Sequence, residues 1–148
     1  PGVGLLEFTA LSVGRGTDTP FEIFGAPYVD DLKLAATLNR AGLSGVRFVP
    51  VRFTPTGSVF KNQRCGGVSI VLTDRTACRV VDIGIAAAAA LHALYPADFD
   101  LKKFNVLLGD EKTLSALEQG AARAAITQPW AESLSAFKKR REKFLLYK

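Results

Sequence analysis

The sequence predicts an α+β domain in which helices cover a small mixed β-sheet and a helical tail ends the chain. Three observations point to this class. Segments 46–54 and 68–73 are apolar and rich in β-branched residues, which is typical of strands. Residues 80–95 repeat apolar side chains at helical spacing. Residues 129–144 show the same spacing after a proline, so we expect a helix at the end of the chain.

The composition indicates one globular domain. The chain has 148 residues, of which 48% are hydrophobic and 22% charged, enough to form a substantial core. It contains no methionine, so we expect a processed product or a domain excised from a longer polypeptide. The most apolar run, residues 80–94, is too short to span a bilayer and contains Asp82 and His92.

The N-terminal segment combines an apolar stretch with an irregular loop. Val3–Phe8 is apolar enough for a strand, and Glu7 falls near its end. A carboxylate at a strand end beside a glycine-rich loop is well placed for a functional site. Segment 11–27 is rich in glycine, proline, threonine and acids, a composition that favours an ordered loop.

Two glycines flank an arginine in this loop. Gly14 and Gly16 let the backbone bend sharply around Arg15 and present its N–H groups beside a guanidinium. The segment is either an anion cradle or a tight turn whose glycines permit positive φ. A P-loop is excluded because its glycine–lysine spacing is absent, and a dinucleotide fingerprint lacks its third glycine. We expect no cofactor.

The middle of the chain predicts a helix and then a strand. Residues 31–40 begin with acids and carry leucines four apart. In segment 46–54, Pro50 lacks the amide hydrogen that a central strand donates. The alternating apolar residues stand at even positions before Pro50 and at odd positions after it, at Val51 and Phe53. Either an edge strand or a β-bulge accounts for this pattern.

A polar excursion over residues 54–64 leads to the second strand. Gly66 and Gly67 stand at the start of that strand, where they allow another backbone or a ligand to approach closely. The strand carries the chain away from Cys65, so a disulfide with Cys78 is not expected. With these two thiols and a single histidine, we expect no metal site.

The final segments are helical and basic. Short helices are expected at 101–108 and 113–118, followed by the last helix, whose apolar residues Trp130, Leu134 and Phe137 predict a packing face. The opposite face carries most of the excess of lysine and arginine that gives the chain its net charge of +5. Because the aromatic residues fall on the packing face and do not alternate with the cations, we expect no nucleic-acid partner.

The motifs resemble a bacterial family first catalogued as a domain of unknown function and now associated with exo-β-N-acetylmuramidases. These glycoside hydrolases trim terminal N-acetylmuramic acid from peptidoglycan. The resemblance rests on Glu7 and on four blocks that cover nearly the whole chain in the family's order. The blocks are S-x-G-R-G-T-x-x-P-F at 12–21, G-V-R-F-x-P-V-x-F-T-P-T at 45–56, C-G-G-V at 65–68, and a closing pattern of Trp130, Phe137, an arginine and residues 144–147.

The resemblance implies that this single domain, residues 1–148, is the C-terminal half of a two-domain protein whose Rossmann-like N-terminal half is absent. That half would be its partner, with a peptidoglycan-derived sugar as ligand and a homodimer possible through the bare face. The resemblance also implies a secreted, periplasmic or cell-envelope location. The chain departs from the family where Phe8, Thr9 and Ala10 replace a frequent Gly-Thr-Asn.

Given the resemblance, muramic acid supplies a ligand for the cradle, because it carries a lactyl carboxylate. Arg15, with Ser12, Thr9 and Thr17, is expected to orient the sugar through hydrogen bonds. Glu7 is the candidate catalytic residue, contributing hydrogen bonding or acid–base help. Glycosidases generally use two carboxyl groups, and Asp18 and Glu22 lie nearby in sequence. A noncatalytic module that binds cell wall or its partner half is the alternative, and a basic nucleic-acid-binding domain is a less favoured one.

Overall fold

The computed structural model describes residues 2–147 and confirms the α+β class. A 3₁₀ helix at Val3–Leu6 opens the chain, and another at Glu142–Phe144 lies near its end. The strands and α-helices are β1 (Ile23–Ala26), α1 (Asp31–Arg40), β2 (Val46–Phe53), β3 (Cys65–Leu72), α2 (Val80–Leu94), α3 (Leu101–Leu108), α4 (Glu111–Glu118), α5 (Arg123–Thr127) and α6 (Trp130–Arg141).

The sheet has the order β1-β3-β2 and is antiparallel throughout, so the expectation of mixed strand directions does not hold. The register of β2 with β3 runs without interruption from Val46 opposite Leu72 to Phe53 opposite Cys65. No bulge occurs in this pair, and Pro50 is accommodated because β2 is an edge strand. Val51 and Phe53 stand at odd positions of the strand because they point to the face of the sheet opposite to that of Phe48.

The first segment is a 3₁₀ helix, and the strand predicted at Val3–Phe8 is wrong. Val3 and Leu6 are both buried, which matches the three-residue period of a 3₁₀ helix. At the start of this helix the backbone packs directly against the backbone of α2. A Cβ atom on Gly2 would collide with the carbonyl of Val80, so only glycine fits there. Tertiary packing against α2 therefore decides the conformation of a segment whose apolar composition also suits a strand.

The core lies between the sheet and the helices. Helix α1 packs on β2 and β3, while α2 contacts α1, α3 and the first 3₁₀ helix. Phe24, Phe48 and Val68 from the sheet are almost fully buried with Leu34 of α1 and Leu91 of α2. The glycine pair predicted to allow close approach does so: Cβ atoms on Gly66 and Gly67 would collide with the backbone of Val29 and Phe24.

Helix α6 lacks the buried packing face that the sequence predicts for it. None of its residues is buried, and Leu134 and Phe137 are each 47% exposed. The aromatic rings near the C-terminus also meet cations, with the Arg140 guanidinium 5.6 Å from the Phe137 ring centre and the Lys143 ammonium 5.1 Å from that of Phe144. Aromatic and basic side chains are thus adjacent here, contrary to the sequence-based expectation that they lie on separate faces.

Both cysteines are free, as predicted. Across residues 2–147, none of the helices has the length and apolar character needed to traverse a bilayer.

Candidate functional site

The centre of the candidate site is an ion pair between Glu7 and Arg15. Arg15 donates from Nε to Oε1 of Glu7 at 2.7 Å, and its Nη2 donates to the same oxygen. The Arg15 side chain is 49% exposed and that of Glu7 is 31% exposed, so the pair lies at the surface. The structure therefore brings together the candidate catalytic carboxylate and the candidate substrate-binding cation.

The two flanking glycines hold Arg15 in an outward position. Gly14 and Gly16 have φ values of 79° and 80°, in the left-handed region that side chains with a Cβ rarely adopt. A Cβ on Gly14 would lie 2.8 Å from the Ile23 side chain, and one on Gly16 would collide with the backbone of Gly57. At both positions the backbone conformation and the lack of room for a Cβ atom require glycine. The two glycines therefore fix the position of the Arg15 backbone between them.

A second loop supports the first. The amide and the hydroxyl of Thr56 both donate to the carbonyl oxygen of Gly16, each at 2.8 Å. Thr17 closes the turn from the other side, because its hydroxyl donates to the Gly14 carbonyl at 2.7 Å. These hydrogen bonds join the Arg15 loop to the β2–β3 connection.

An aromatic ring lies beside the ion pair. The Phe21 ring lies beneath the Arg15 guanidinium, with 5.0 Å between the guanidinium carbon and the ring centre. Phe21 has a φ of 66°, and its amide donates to the Val13 carbonyl at 2.8 Å. A non-glycine residue held at positive φ by its surroundings is enriched at functional sites. Phe8, which directly follows Glu7, is 58% exposed.

The remaining predicted site residues use their hydroxyl groups within the loop. Thr9 is buried, and its hydroxyl donates to the Leu6 carbonyl at 2.6 Å. Ser12 is also buried, and its Oγ accepts from the Gly14 amide at 3.3 Å. Direct contact of Ser12, Thr9 and Thr17 with a sugar stays a prediction. Their observed hydrogen bonds shape the backbone that carries Glu7 and Arg15.

Tyr28 is a supporting residue that the sequence analysis did not single out. Its hydroxyl donates to the Ala10 carbonyl at 2.7 Å, and its ring packs edge-on against Tyr95 with centres 5.5 Å apart. Burial raises the pKa of the Tyr28 phenol, and the nearby charge of Asp98 raises it further. The phenol therefore keeps its proton and anchors the segment that follows Glu7.

A groove extends from this surface toward α2. The β3–α2 groove has a volume of about 470 Å³ and is lined by Gly2, Val3, Phe21, Glu22, Ser69–Leu72, Val80 and Ile83. Phe21 is one of these residues and also contacts Arg15, so this side chain links the groove to the ion pair. Within residues 2–147 no cluster of three histidine, cysteine or acidic side chains is arranged to hold a metal ion.

Arg15 retains binding capacity in this geometry. A guanidinium has five N–H donors, and the two bonds to Glu7 leave three for a ligand. Planar guanidinium groups suit carboxylates, which they bind through paired, charge-assisted hydrogen bonds. The ion pair can thus accept an anionic ligand on Arg15 while Glu7 remains beside it.

The fold and this surface define an α+β domain with a glycine-bounded arginine paired to an exposed carboxylate. The sequence model described as "Exo-beta-N-acetylmuramidase NamZ, C-terminal" matches residues 1–147, and the chain belongs to this family. It is 37% identical over 150 residues to the peptidoglycan β-N-acetylmuramidase NamZ of Bacillus subtilis strain 168. The alignment covers 99% of this chain and 36% of that relative, so the chain spans about a third of the relative's length.

Two crystal structures of DUF1343 family proteins from Bacteroides fragilis have the same fold. The first has a TM-score of 0.81 and 28% identity, and the alignment covers 99% of this chain and 40% of that one. The second has a TM-score of 0.69 and 25% identity over 99% of this chain and 39% of the other. The C-terminal-domain family and its α+β fold, both expected from the motifs, are confirmed.

Proposed function

We propose that this chain is the C-terminal cleft domain of an exo-β-N-acetylmuramidase, an enzyme that hydrolyses terminal N-acetylmuramic acid glycosides of peptidoglycan. The observation that carries the proposal is the exposed Glu7–Arg15 pair, held on a loop in which both glycines are required. The family assignment supports the reaction class, because the Bacillus subtilis relative is a peptidoglycan β-N-acetylmuramidase. The other part of the cleft is contributed by a preceding, Rossmann-like half.

Arg15 selects the substrate in this proposal. N-acetylmuramic acid differs from N-acetylglucosamine by a lactyl ether that ends in a carboxylate, and the free N–H donors of Arg15 bind that group. Charge-assisted hydrogen bonds of this kind contribute about 1.5–3 kcal/mol each. Phe21 beneath the guanidinium attracts its charge and shields one of its faces from water.

Glu7 acts next to the bound sugar. The exposed Glu7 carboxylate is placed to accept hydrogen bonds and to stabilise the positive charge of an oxocarbenium-like transition state. The proton donor to the leaving oxygen then comes from a second carboxyl group. Glu22, which lines the β3–α2 groove, and Asp18 are the candidates in this half, and the preceding half is the other source.

The reaction is tested by measuring release of muramic acid from peptidoglycan fragments by the longer polypeptide. We expect release by the wild-type enzyme and a loss of at least about 100-fold for Glu7→Gln, which keeps the size of the side chain and removes its charge. Glu118→Gln, an exposed change on α4, is the matched control and retains activity. Undiminished turnover by the Glu7 variant would exclude Glu7 as a catalytic residue.

A further inference from the structure

A groove between α4, α5 and α6 lies outside the Glu7–Arg15 site. It has a volume of about 410 Å³, within the range of about 300–1,000 Å³ that is typical of ligand pockets. Among the described residues that line it, none belongs to the ion pair or to the β3–α2 groove. We call it the Trp130 groove. Its polar or aromatic side chains are those of Asp110, Lys112, Thr113, Trp130 and Ser133.

Hydrogen bonds fix the Trp130 ring at the wall of this groove. The Trp130 indole N–H donates to the Thr113 hydroxyl at 3.1 Å, and that hydroxyl donates to the Asp110 carboxylate. Thr113 is buried, so these hydrogen bonds start from a fixed position inside the domain. The Trp130 side chain is also partly buried against the core. An aromatic ring held in one orientation offers a preformed apolar surface, because little rotamer freedom is lost when a ligand packs on it.

Two charged side chains line the same groove and have capacity for a ligand. Both hydrogen bonds from Thr113 end on Oδ2 of Asp110, so Oδ1 can accept from a bound molecule. The bond from the Thr113 hydroxyl also lowers the pKa of Asp110, which keeps the carboxylate ionised at neutral pH. Lys112 is exposed and, within residues 2–147, forms no ion pair. The groove therefore combines an apolar ring, a hydrogen-bond acceptor and a hydrogen-bond donor.

We propose that the Trp130 groove is a sugar-binding site, separate from the Glu7–Arg15 pair, for N-acetylated pyranose units of a glycan strand. A pyranose ring has a face of C–H groups that packs on an aromatic ring, and it carries hydroxyl groups around its rim. An ionised carboxylate accepts hydrogen bonds from such hydroxyls, and an ammonium group donates to hydroxyl or acetamido oxygens. Asp110 and Lys112 supply these two groups in the groove that Trp130 lines. That the strand is peptidoglycan rests on the proposed function, whereas the fit to a sugar does not.

Tryptophan fluorescence tests the proposal, because Trp130 is the one tryptophan of the 148-residue chain. The ligand is chitotriose, a neutral trimer of N-acetylglucosamine that lacks the lactyl carboxylate expected at Arg15. We expect a saturable change in emission, and a Kd at least about fivefold higher in Lys112→Ala, which loses a hydrogen-bond donor. Lys103→Ala, the same change at an exposed position of α3, is the matched control and keeps the wild-type Kd. Arg15→Gln also keeps the wild-type Kd.

The absence of a saturable response to chitotriose would overturn the proposal. An unchanged Kd in Lys112→Ala, or an equal loss of affinity in Arg15→Gln, would also overturn it, because the sugar would then bind elsewhere. An equal response to trialanine would contradict it as well, since a peptide lacks the hydroxyl groups that Asp110 is placed to bind. Chitotriose binding without muramoside hydrolysis by the longer polypeptide would refute only the proposed function, and hydrolysis without chitotriose binding would refute only this sugar site.

Discussion

At the scale of single residues, the sequence indicated the special backbone around Arg15 but not the pairing of Arg15 with Glu7. The glycines around Arg15 signal a special backbone, and the structure shows that both are required. That Arg15 pairs with Glu7 depends on how the first segment folds, and its apolar composition suggested a strand where a 3₁₀ helix forms. The supporting bond from Tyr28 to Ala10 spans 18 positions and has no local signal.

Tyr28→Phe tests the support of the Glu7 segment. The change removes the hydroxyl and leaves the Ala10 carbonyl without its donor, so the free energy of unfolding should fall by about 1–2 kcal/mol. Chemical denaturation of the 148-residue chain measures the loss. Tyr147→Phe, an exposed residue at 87%, is the control and should leave stability unchanged. An equal effect of the two substitutions would contradict a supporting role for Tyr28.

Asp110 gives a prediction for acid stability. Its carboxylate accepts hydrogen bonds from the hydroxyl and amide of Thr113, and chiefly the hydroxyl bond lowers the Asp110 pKa below its ordinary value of 3.8. A lowered pKa stabilises the fold above about pH 4, and this contribution is lost as the pH falls through the folded-state value. Asp110→Asn should therefore destabilise the chain at pH 7 and have a smaller effect below pH 4.

Urea unfolding of wild type and Asp110→Asn between pH 2 and 7 measures this dependence. Asp18→Asn, in the exposed part of the Arg15 loop, is the control and should show little difference at any pH. A difference between wild type and Asp110→Asn that stays constant over the whole range would show that the carboxylate charge does not stabilise the fold. The Trp130 indole also donates to the Thr113 hydroxyl at 3.1 Å, so its fluorescence reports on the same cluster.

At the scale of elements, strands and helices with strong local patterns were predictable, and elements decided by tertiary packing were not. Segment 68–73 and α2 formed as expected because apolar composition and helical spacing agree with their burial. Strand β1 was hidden inside a segment that looked like a loop, because its four residues pair with β3 through a contact that only glycines allow. Helix α6 has an apolar stripe in which Trp130 packs partly buried against the core, whereas Leu134 and Phe137 stay exposed.

Gly67→Ala tests the glycine contact within the sheet. A Cβ at this position would collide with the Phe24 carbonyl, so β1 must separate from β3 and the free energy of unfolding should fall by at least about 2 kcal/mol. Gly57→Ala is the control, because its Cβ would meet no atom within 4 Å. Thermal unfolding followed by circular dichroism compares them, and similar melting temperatures would show that the sheet tolerates the added methyl group.

At the scale of the whole molecule, the family and fold were predictable because their motifs lie in order along nearly the entire chain. The exposure of Val80 and Val81 at the start of α2 was not, since a sequence does not show whether an apolar stripe is covered within its own domain. Phe21 contacts Arg15 and also lines the β3–α2 groove, which Val80 borders. We infer that the domain is one wall of a cleft whose specificity comes from Arg15.

The most direct test is the substrate preference of the longer polypeptide carrying Arg15→Gln. The wild-type enzyme should have a much higher kcat/KM for a chromogenic N-acetylmuramic acid glycoside than for the matching N-acetylglucosamine glycoside, which lacks the lactyl carboxylate. Loss of a charge-assisted contact of about 1.5–3 kcal/mol should reduce this preference by about 10- to 100-fold in Arg15→Gln. The account predicts that reduction, and an unchanged ratio of the two kcat/KM values would contradict it.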